Sequence, residues 1–383
     1  MYLKKLELKN YRNYGYLDLN FGKGTILIIG DNGQGKTNLL ESIHYISTGK
    51  SHRTSSQDEL IGWDGDYSVL RSTTGSDKDK NLNNMIEIEL RHGNNIKVKV
   101  DKVYYRKKTD FTSILPSVIF SPDDLKIVKA GPSNRRNFLD GILDKIYGDF
   151  PGTRLQYQKI LTQRNSLIKS MRSTADARGN STLEAWDDNM VKYGARIIRK
   201  RLHLIKELRK KIIEYMEYFF ISSTVEIFYV FSWDRENLSA NNLTENAEEG
   251  LEEKFCLKLK KNLSKDLSCK TTTVGPHRDD FVILIDGRDI RSFGSQGQQR
   301  AASISLKLGE LAALKEKLKK DPVLLLDDVL SELDMERKKM LVKIINNKFQ
   351  TFITTTNISY LNELDIKFEN KFLVKDSKII AIK

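Results

Sequence analysis

The stretch Gly30-Asp31-Asn32-Gly33-Gln34-Gly35-Lys36-Thr37 follows four apolar residues, Ile26 to Ile29. It precedes a run in which Leu39, Leu40, Ile43 and Ile46 recur at helical spacing. A buried strand, a glycine loop and a helix in that order complete the G-x-x-x-x-G-K-T pattern of a phosphate-binding loop. The glycines let the backbone curl, so that its N–H groups face phosphate oxygens at a helix N-terminus. In such a loop Lys36 reaches the β- and γ-phosphates, and the Thr37 hydroxyl is a ligand for Mg²⁺. The expected ligands are therefore ATP and Mg²⁺, with Gly30 to Thr37 and Asn38 around the phosphates.

A phosphate-binding loop needs a carboxylate at the end of a neighbouring strand. Val323-Leu324-Leu325-Leu326-Asp327-Asp328 supplies one, as a buried parallel strand that ends in paired acids. Asp327 is expected on the metal side, and Asp328 where a base could orient the attacking water. Upstream, Phe293-Gly294-Ser295-Gln296-Gly297-Gln298-Gln299-Arg300 opens a helix expected from about Gln299 to Lys319. Alone, that turn is a helix cap. Beside the other two motifs it looks like the signature motif of ABC-type ATPases, in which this element meets the γ-phosphate held by a second protomer. Ser295, Gly297 and Gln298 are its candidate contacts, and Ser331-Glu332-Leu333-Asp334 matches the D-loop of the class.

The rest of the chain bounds the reading. It has 383 residues, enough for two or three domains, and 64 Lys plus Arg against 51 Asp plus Glu give a net charge of +13. Such a balance favours a polyanionic partner such as nucleic acid. No apolar run is long enough to span a membrane. The opening Met-Tyr-Leu-Lys-Lys-Leu-Glu-Leu alternates, so no secretory leader is expected. Cys256 and Cys269 fit no metal or CxxC spacing and read as reduced cytosolic thiols.

Strand texture occupies the start of the chain and returns after Lys270, whereas residues 133–270 read as mainly helical. The layout is an α/β head from both chain ends, 1–132 and 271–383, split by an inserted helical domain, 133–270. Polar stretches at 75–84, 173–181 and 237–249 read as connections. From Arg196 to Ile221, apolar residues Ile198, Leu202, Ile205, Leu208, Ile212 and Phe219 form one stripe. The basic residues there, including Arg199, Lys200, Arg201, Lys210 and Lys211, are candidate DNA-backbone contacts.

A helical insertion too short for long coiled coils resembles the RecF family of bacterial recombination-repair ATPases, which are SMC-like. Further stretches carry the resemblance over nearly the full length. They include Leu8-Lys-Asn-Tyr-Arg12-Asn-Tyr14, Gly49-Lys-Ser-His-Arg53, Gly131-Pro-Ser-Asn-Arg135-Arg136-Asn-Phe-Leu-Asp140, Leu161-Thr-Gln-Arg164-Asn165 and Gly275-Pro-His277-Arg278-Asp279-Asp280. The lone His277 reads as a structural hydrogen-bonder rather than a metal ligand.

The resemblance implies Arg12 on nucleotide phosphate and Arg53 coupling DNA to the nucleotide site. It implies an ATP-dependent homodimer on double-stranded or gapped DNA at single-strand/double-strand junctions, in the cytoplasm with the nucleoid. RecO and RecR are the implied partners in loading RecA, within DNA-damage repair, replication, recombination and the SOS response. No glutamine stands at Ser121 to Asp124, no switch histidine stands at Thr354 to Asn357, and residue 328 is Asp rather than Glu. A slow, DNA-stimulated, switch-like ATPase is expected. The alternatives are a transporter-type ABC ATPase subunit, which predicts a glutamate after Asp327, a switch histidine and no insertion, and a P-loop phosphotransferase.

Overall fold

In the computed structural model, residues 1–63, 65–76, 83–93, 95–105, 111–171, 176, 180–220, 223–234, 249–346 and 348–382 are described. The polar stretches expected as connections at 75–84, 173–181 and 237–249 lie mostly outside them. The chain divides into two compact units, Met1–Asp124 with Glu310–Lys383, and Leu125–Gly309.

The first unit holds two six-stranded sheets. In chain order its strands are β1 (Tyr2–Tyr11), β2 (Tyr14–Asn20), β3 (Thr25–Ile29), β4 (Tyr67–Gly75), β5 (Met85–Arg91), β6 (Asn95–Val100), β7 (Val103–Tyr105) and β8 (Ser117–Phe120). In the second unit lie β9 (Val225–Val230), β10 (Asp280–Ile285) and β11 (Arg288–Asp289); β12 (Val323–Asp327), β13 (Thr351–Thr355), β14 (Phe368–Lys375) and β15 (Lys378–Ile382) return to the first.

One sheet is antiparallel, in the order β2-β1-β4-β5-β6-β7. Its strands alternate, with Leu6, Leu8, Leu70, Ile86, Ile88 and Leu90 in the core. On its other side Lys5, Glu7, Arg71, Glu87 and Lys99 form a ladder of ion pairs. The other sheet runs β15-β14-β3-β13-β12-β8 and is parallel except for β15. Its central strands are apolar runs, as a sheet covered on both faces requires. The helix Lys36–Thr48 packs against strands of both sheets and is buried on nearly every side. The Gln350 side chain ties the layers together, accepting from Leu3 N at 2.7 Å and donating to Leu3 O at 2.8 Å and Gly22 O at 2.6 Å.

Residues 1–20 and 25–29, adjacent in sequence, thus enter different sheets. The Asp327 strand is also not the immediate neighbour of the loop's strand, as expected from sequence: β13 lies between β3 and β12.

The second unit is built on the 37-residue helix Ser181–Glu217, with the helices Pro132–Ile146, Phe150–Ser170 and Leu251–Lys261 packed on it. Of the expected apolar stripe, Ile198 to Ile212 are buried, whereas Phe219 lies past the helix end and is only half-buried. The unit is not wholly helical, because β11-β10-β9 form a small antiparallel sheet. Residues 225–230 of the stretch read as helical are one of its strands, an alternation cut short by its flanks. The helix Gln296–Leu318 carries residues of both units.

Candidate nucleotide site

Parallel register brings the loop and the acid strand together through β13. Thr354 pairs with Ile28 on β3 and with Asp327 on β12. Its hydroxyl donates to Asp327 Oδ1 at 2.9 Å and accepts the backbone N–H of Asp328 at 3.0 Å. Thr37 Oγ1 donates to the same Asp327 oxygen at 3.0 Å. Burial pushes the Asp327 carboxyl up, against the two threonine hydrogen bonds that favour its charged form.

Lys36 is buried and donates to the carbonyls of Gly30 at 2.6 Å and Asp31 at 2.8 Å, spanning the loop. Burial draws its ammonium down, opposed by Asp328, Asp327 and Asp31. Gly30 is required by space, because a Cβ there would sit 2.4 Å from the Val374 carbonyl oxygen on β14. Gly35 is required by conformation, at φ +113°, and by the Asn13 amide at its flank.

A polar brace surrounds the loop. Tyr14 donates to Gly35 O, Asn13 to Gln34 O, and Asn38 to Asn13 Oδ1. From the β14–β15 turn, Asp376 N donates to Gln34 Oε1 at 2.6 Å. Arg53 Nη1 donates to Asn38 Oδ1 at 2.7 Å. Arg12, at φ +52°, places Nε and Nη2 each 2.9 Å from the carboxylate of Glu41, and Nη1 2.8 Å from Glu59 O. Glu41 is fully buried and also accepts from Ser51 at 2.5 Å, with Arg53 3.7 Å away. Sequence reasoning missed Glu41, Thr354 and Asn13. Glu41 is four residues beyond Thr37 on the loop's own helix, and that spacing, beside two nearby arginines, was a usable clue.

The oxygens of Thr37, Asp327 and Asp328 suit Mg²⁺, a hard cation that takes one or two carboxylates plus phosphates. Asp328 Oδ1 is buried without a hydrogen-bond partner. Among the described residues no cluster of three His, Cys, Asp or Glu could hold a metal by itself. Asp328 adopts φ +54° and passes its carbonyl to the Ser331 hydroxyl at 2.6 Å, at the head of the Ser331–Asp334 segment. Thr355, in the segment Thr354 to Asn357 that lacks a switch histidine, shares a hydrogen bond with Tyr360 OH at 2.8 Å.

In the second unit Ser295 and Gln298 form a reciprocal cap. Ser295 N donates to Gln298 Oε1 at 2.8 Å, and Gln298 N to Ser295 Oγ at 3.2 Å. Ser295 and Gln296 are exposed, Gly297 and Gln298 are half-buried, and Phe293 beside them is 72 % exposed.

The basic residues of Ser181–Glu217 separate by environment. Lys210 and Lys211 are exposed, Lys211 pairing with Glu214. Arg199 pairs with Glu252, and Lys200 lies over the Tyr147 ring. Arg201 departs from the expected basic face. It is 4 % exposed, bidentate on Asp140 at 2.8 and 2.9 Å, and donates to Pro276 O, so it is structural. The motif residues around it form the same buried polar framework. Arg164 holds Asp187 and Asp266, and Tyr229 donates to Asp279. His277 accepts from Tyr157 OH at 2.7 Å and donates from Nε2 to Thr272 O.

A phosphate-binding loop, an acid pair one strand removed, and a serine-glutamine helix cap define an ABC-type ATPase head of the kind found in SMC proteins. A solved SMC head bound to the C-winged helix domain of ScpA shares this fold, at 14 % identity and a TM-score of 0.57 over 100 % of this chain and 98 % of that one. Residues 2–375 match the RecF/RecN/SMC N terminal domain model. The "DNA replication and repair protein RecF" of Clostridium botulinum (strain ATCC 19397 / Type A) is 38 % identical over 99 % of both chains. That of Natranaerobius thermophilus is 38 % identical over 97 % of this chain and 95 % of its own. A structure of the recombination mediator protein RecF-ATP in the RecFOR pathway superposes with a TM-score of 0.86, at 37 % identity over 100 % of this chain and 98 % of that one. The chain belongs to the RecF family.

Proposed function

We propose that this chain is an ATP-gated DNA clamp of recombinational repair and replication. The observation that carries the reading is the meeting of Thr37 and Thr354 on one oxygen of Asp327, beside a lysine that spans the loop. Lys36 exchanges its two loop carbonyls for β- and γ-phosphate oxygens, and the loop amides receive the rest. Thr37 and Asp327 hold Mg²⁺, which when bound offsets the charge on the phosphates. Asp328, held at φ +54° by Thr354 and Ser331, orients the attacking water.

Ser295, Gly297 and Gln298 of a second copy close over the γ-phosphate, so that two ATPs lie in an isologous homodimer. Double-stranded or gapped DNA is gripped through phosphates by Arg53, Arg199, Lys200, Lys210 and Lys211, with 133–270 as the inserted arm. Slow hydrolysis opens the clamp. The family resemblance extends the reading to single-strand/double-strand junctions, to RecR and RecO as partners in loading RecA, and to the nucleoid.

Duplex binding by fluorescence anisotropy, with sedimentation in parallel, tests it across no nucleotide, ADP, ATP, and Lys36→Met with ATP. ATP alone should give a dimer and tight, salt-sensitive binding. A monomer that binds DNA equally in all four conditions would overturn the clamp.

A further inference from the structure

Beyond the nucleotide loop, a cavity of about 490 Å³ opens at the C-terminal end of the helix Lys36–Thr48, within the size range of ligand pockets. Its lining includes Tyr45, Lys50, His52, Arg53, Gln57 and Leu60. Among the buried polar atoms here, Tyr45 OH and Gln57 Oε1 have no hydrogen-bond partner. Buried polar groups are ordinarily satisfied, so each marks where a partner belongs. A phosphodiester group alone cannot serve both, because its oxygens only accept and Gln57 Oε1 needs a donor. The edge of a nucleobase with an amino group offers a donor and an acceptor together, and its attached phosphate suits Lys50 and Arg53.

We propose that this cavity receives one unpaired nucleotide of DNA, with its phosphate on Lys50 and Arg53 and its base against Tyr45 and Gln57. The occupant is felt at the nucleotide loop through Arg53. That side chain is bonded to Asn38 at 2.7 Å, Asn38 to Asn13 at 2.8 Å, and Asn13 to the Gln34 carbonyl at 3.2 Å. Drawing Arg53 onto a DNA phosphate frees one end of that chain. The proposal rests on the reading of this chain as a DNA-binding ATPase, and it supplies a local origin for a preference for gaps.

The test compares, with ATP present, a nicked duplex and the same duplex carrying a short adenine gap with 2-aminopurine in it. Wild type should bind the gapped form about tenfold more tightly and change the 2-aminopurine fluorescence. Gln57→Leu and Tyr45→Phe should bring the gapped duplex down to the nicked level while leaving nicked binding and ATP binding intact. Equal binding of the two duplexes by wild type, or a preference kept by both folded variants, overturns the proposal. Displacement of the gap signal by free dAMP assigns the cavity to free nucleotides and overturns DNA as its occupant. If wild type binds neither duplex, the DNA-binding reading itself falls and this site with it.

Discussion

Thr354 and Asp327 are register partners on adjacent parallel strands, and the threonine hydroxyl donates to the aspartate Oδ1 at 2.9 Å. The same hydroxyl oxygen accepts the Asp328 N–H. One buried side chain therefore orients the carboxylate of one acid and the backbone of the next. Thr354→Val keeps the shape and removes both bonds, leaving a buried N–H unsatisfied at a cost of about 1–3 kcal/mol. Single-turnover ATP hydrolysis should fall about tenfold or more while ATP affinity changes little. Thr354→Ser should restore most of the rate, and an unchanged rate in the valine variant would remove Thr354 from the site.

Arg201 and Lys210 should fail in different ways, although both sit on the basic side of one helix in the sequence. Arg201→Ala strips the buried Asp140 carboxylate of its bidentate partner, leaving only Arg154 at 3.7 Å, and should cost about 3 kcal/mol in denaturant unfolding. Lys210→Ala should stay within about 0.5 kcal/mol of wild type and lower the salt slope of duplex binding by about one. A stable Arg201→Ala protein with weakened DNA binding would return Arg201 to the DNA face.

Gly30→Ala and Gly33→Ala separate close approach from conformation. At residue 30 the new methyl meets backbone, the Val374 carbonyl at 2.4 Å, so β3 and β14 must part. At residue 33, with φ +79°, the methyl meets open space. Thermal unfolding should show a loss of about 2 kcal/mol or more for Gly30→Ala and about 1 kcal/mol for Gly33→Ala. Equal losses would contradict the β3–β14 contact.

His277 gives the second unit a pH dependence. Burial lowers its pKa to about 4 from 6.5, the nearby arginines adding to the effect while the Thr272 carbonyl opposes it. Between pH 6.5 and 4 the unfolded chain binds a proton that the folded chain refuses, so stability falls as pH falls through that window. The loss attributable to His277 should approach about 2–3 kcal/mol by pH 4 and be absent above pH 7. His277→Gln, which can still bond Tyr157 and Thr272, should flatten that part of the profile of Tm against pH.

Much of the site could be read from sequence because its motifs are local. The loop must stand between a strand and a helix, and an apolar run ending in Asp327-Asp328 can hardly be other than a buried strand with acids at its mouth. The helix expected from about Gln299 to Lys319 differs from the structure by only a few residues. Strand order was not legible, because parallel strands are joined by crossovers whose landing place depends on packing. Hence β13 between β3 and β12, and with it the role of Thr354, needed the sheet.

The arginines show the same division. At helical spacing Arg201 and Lys210 are both simply basic. Only the approach of Asp140 and of the Pro276 carbonyl, distant in the chain, takes one guanidinium out of solvent. Glu41 became visible as the clamp on Arg12, with Arg53 nearby, once the β1–β2 turn and the loop after the helix were seen to converge on it. The sequence by itself determined the loop, the acid pair and the interrupted α/β head, because each is dictated by residues a few positions apart. The tertiary structure alone decided which charges are buried partners and which remain exposed. That choice turns on the desolvation of a charge against the geometry of a partner contributed from elsewhere in the chain.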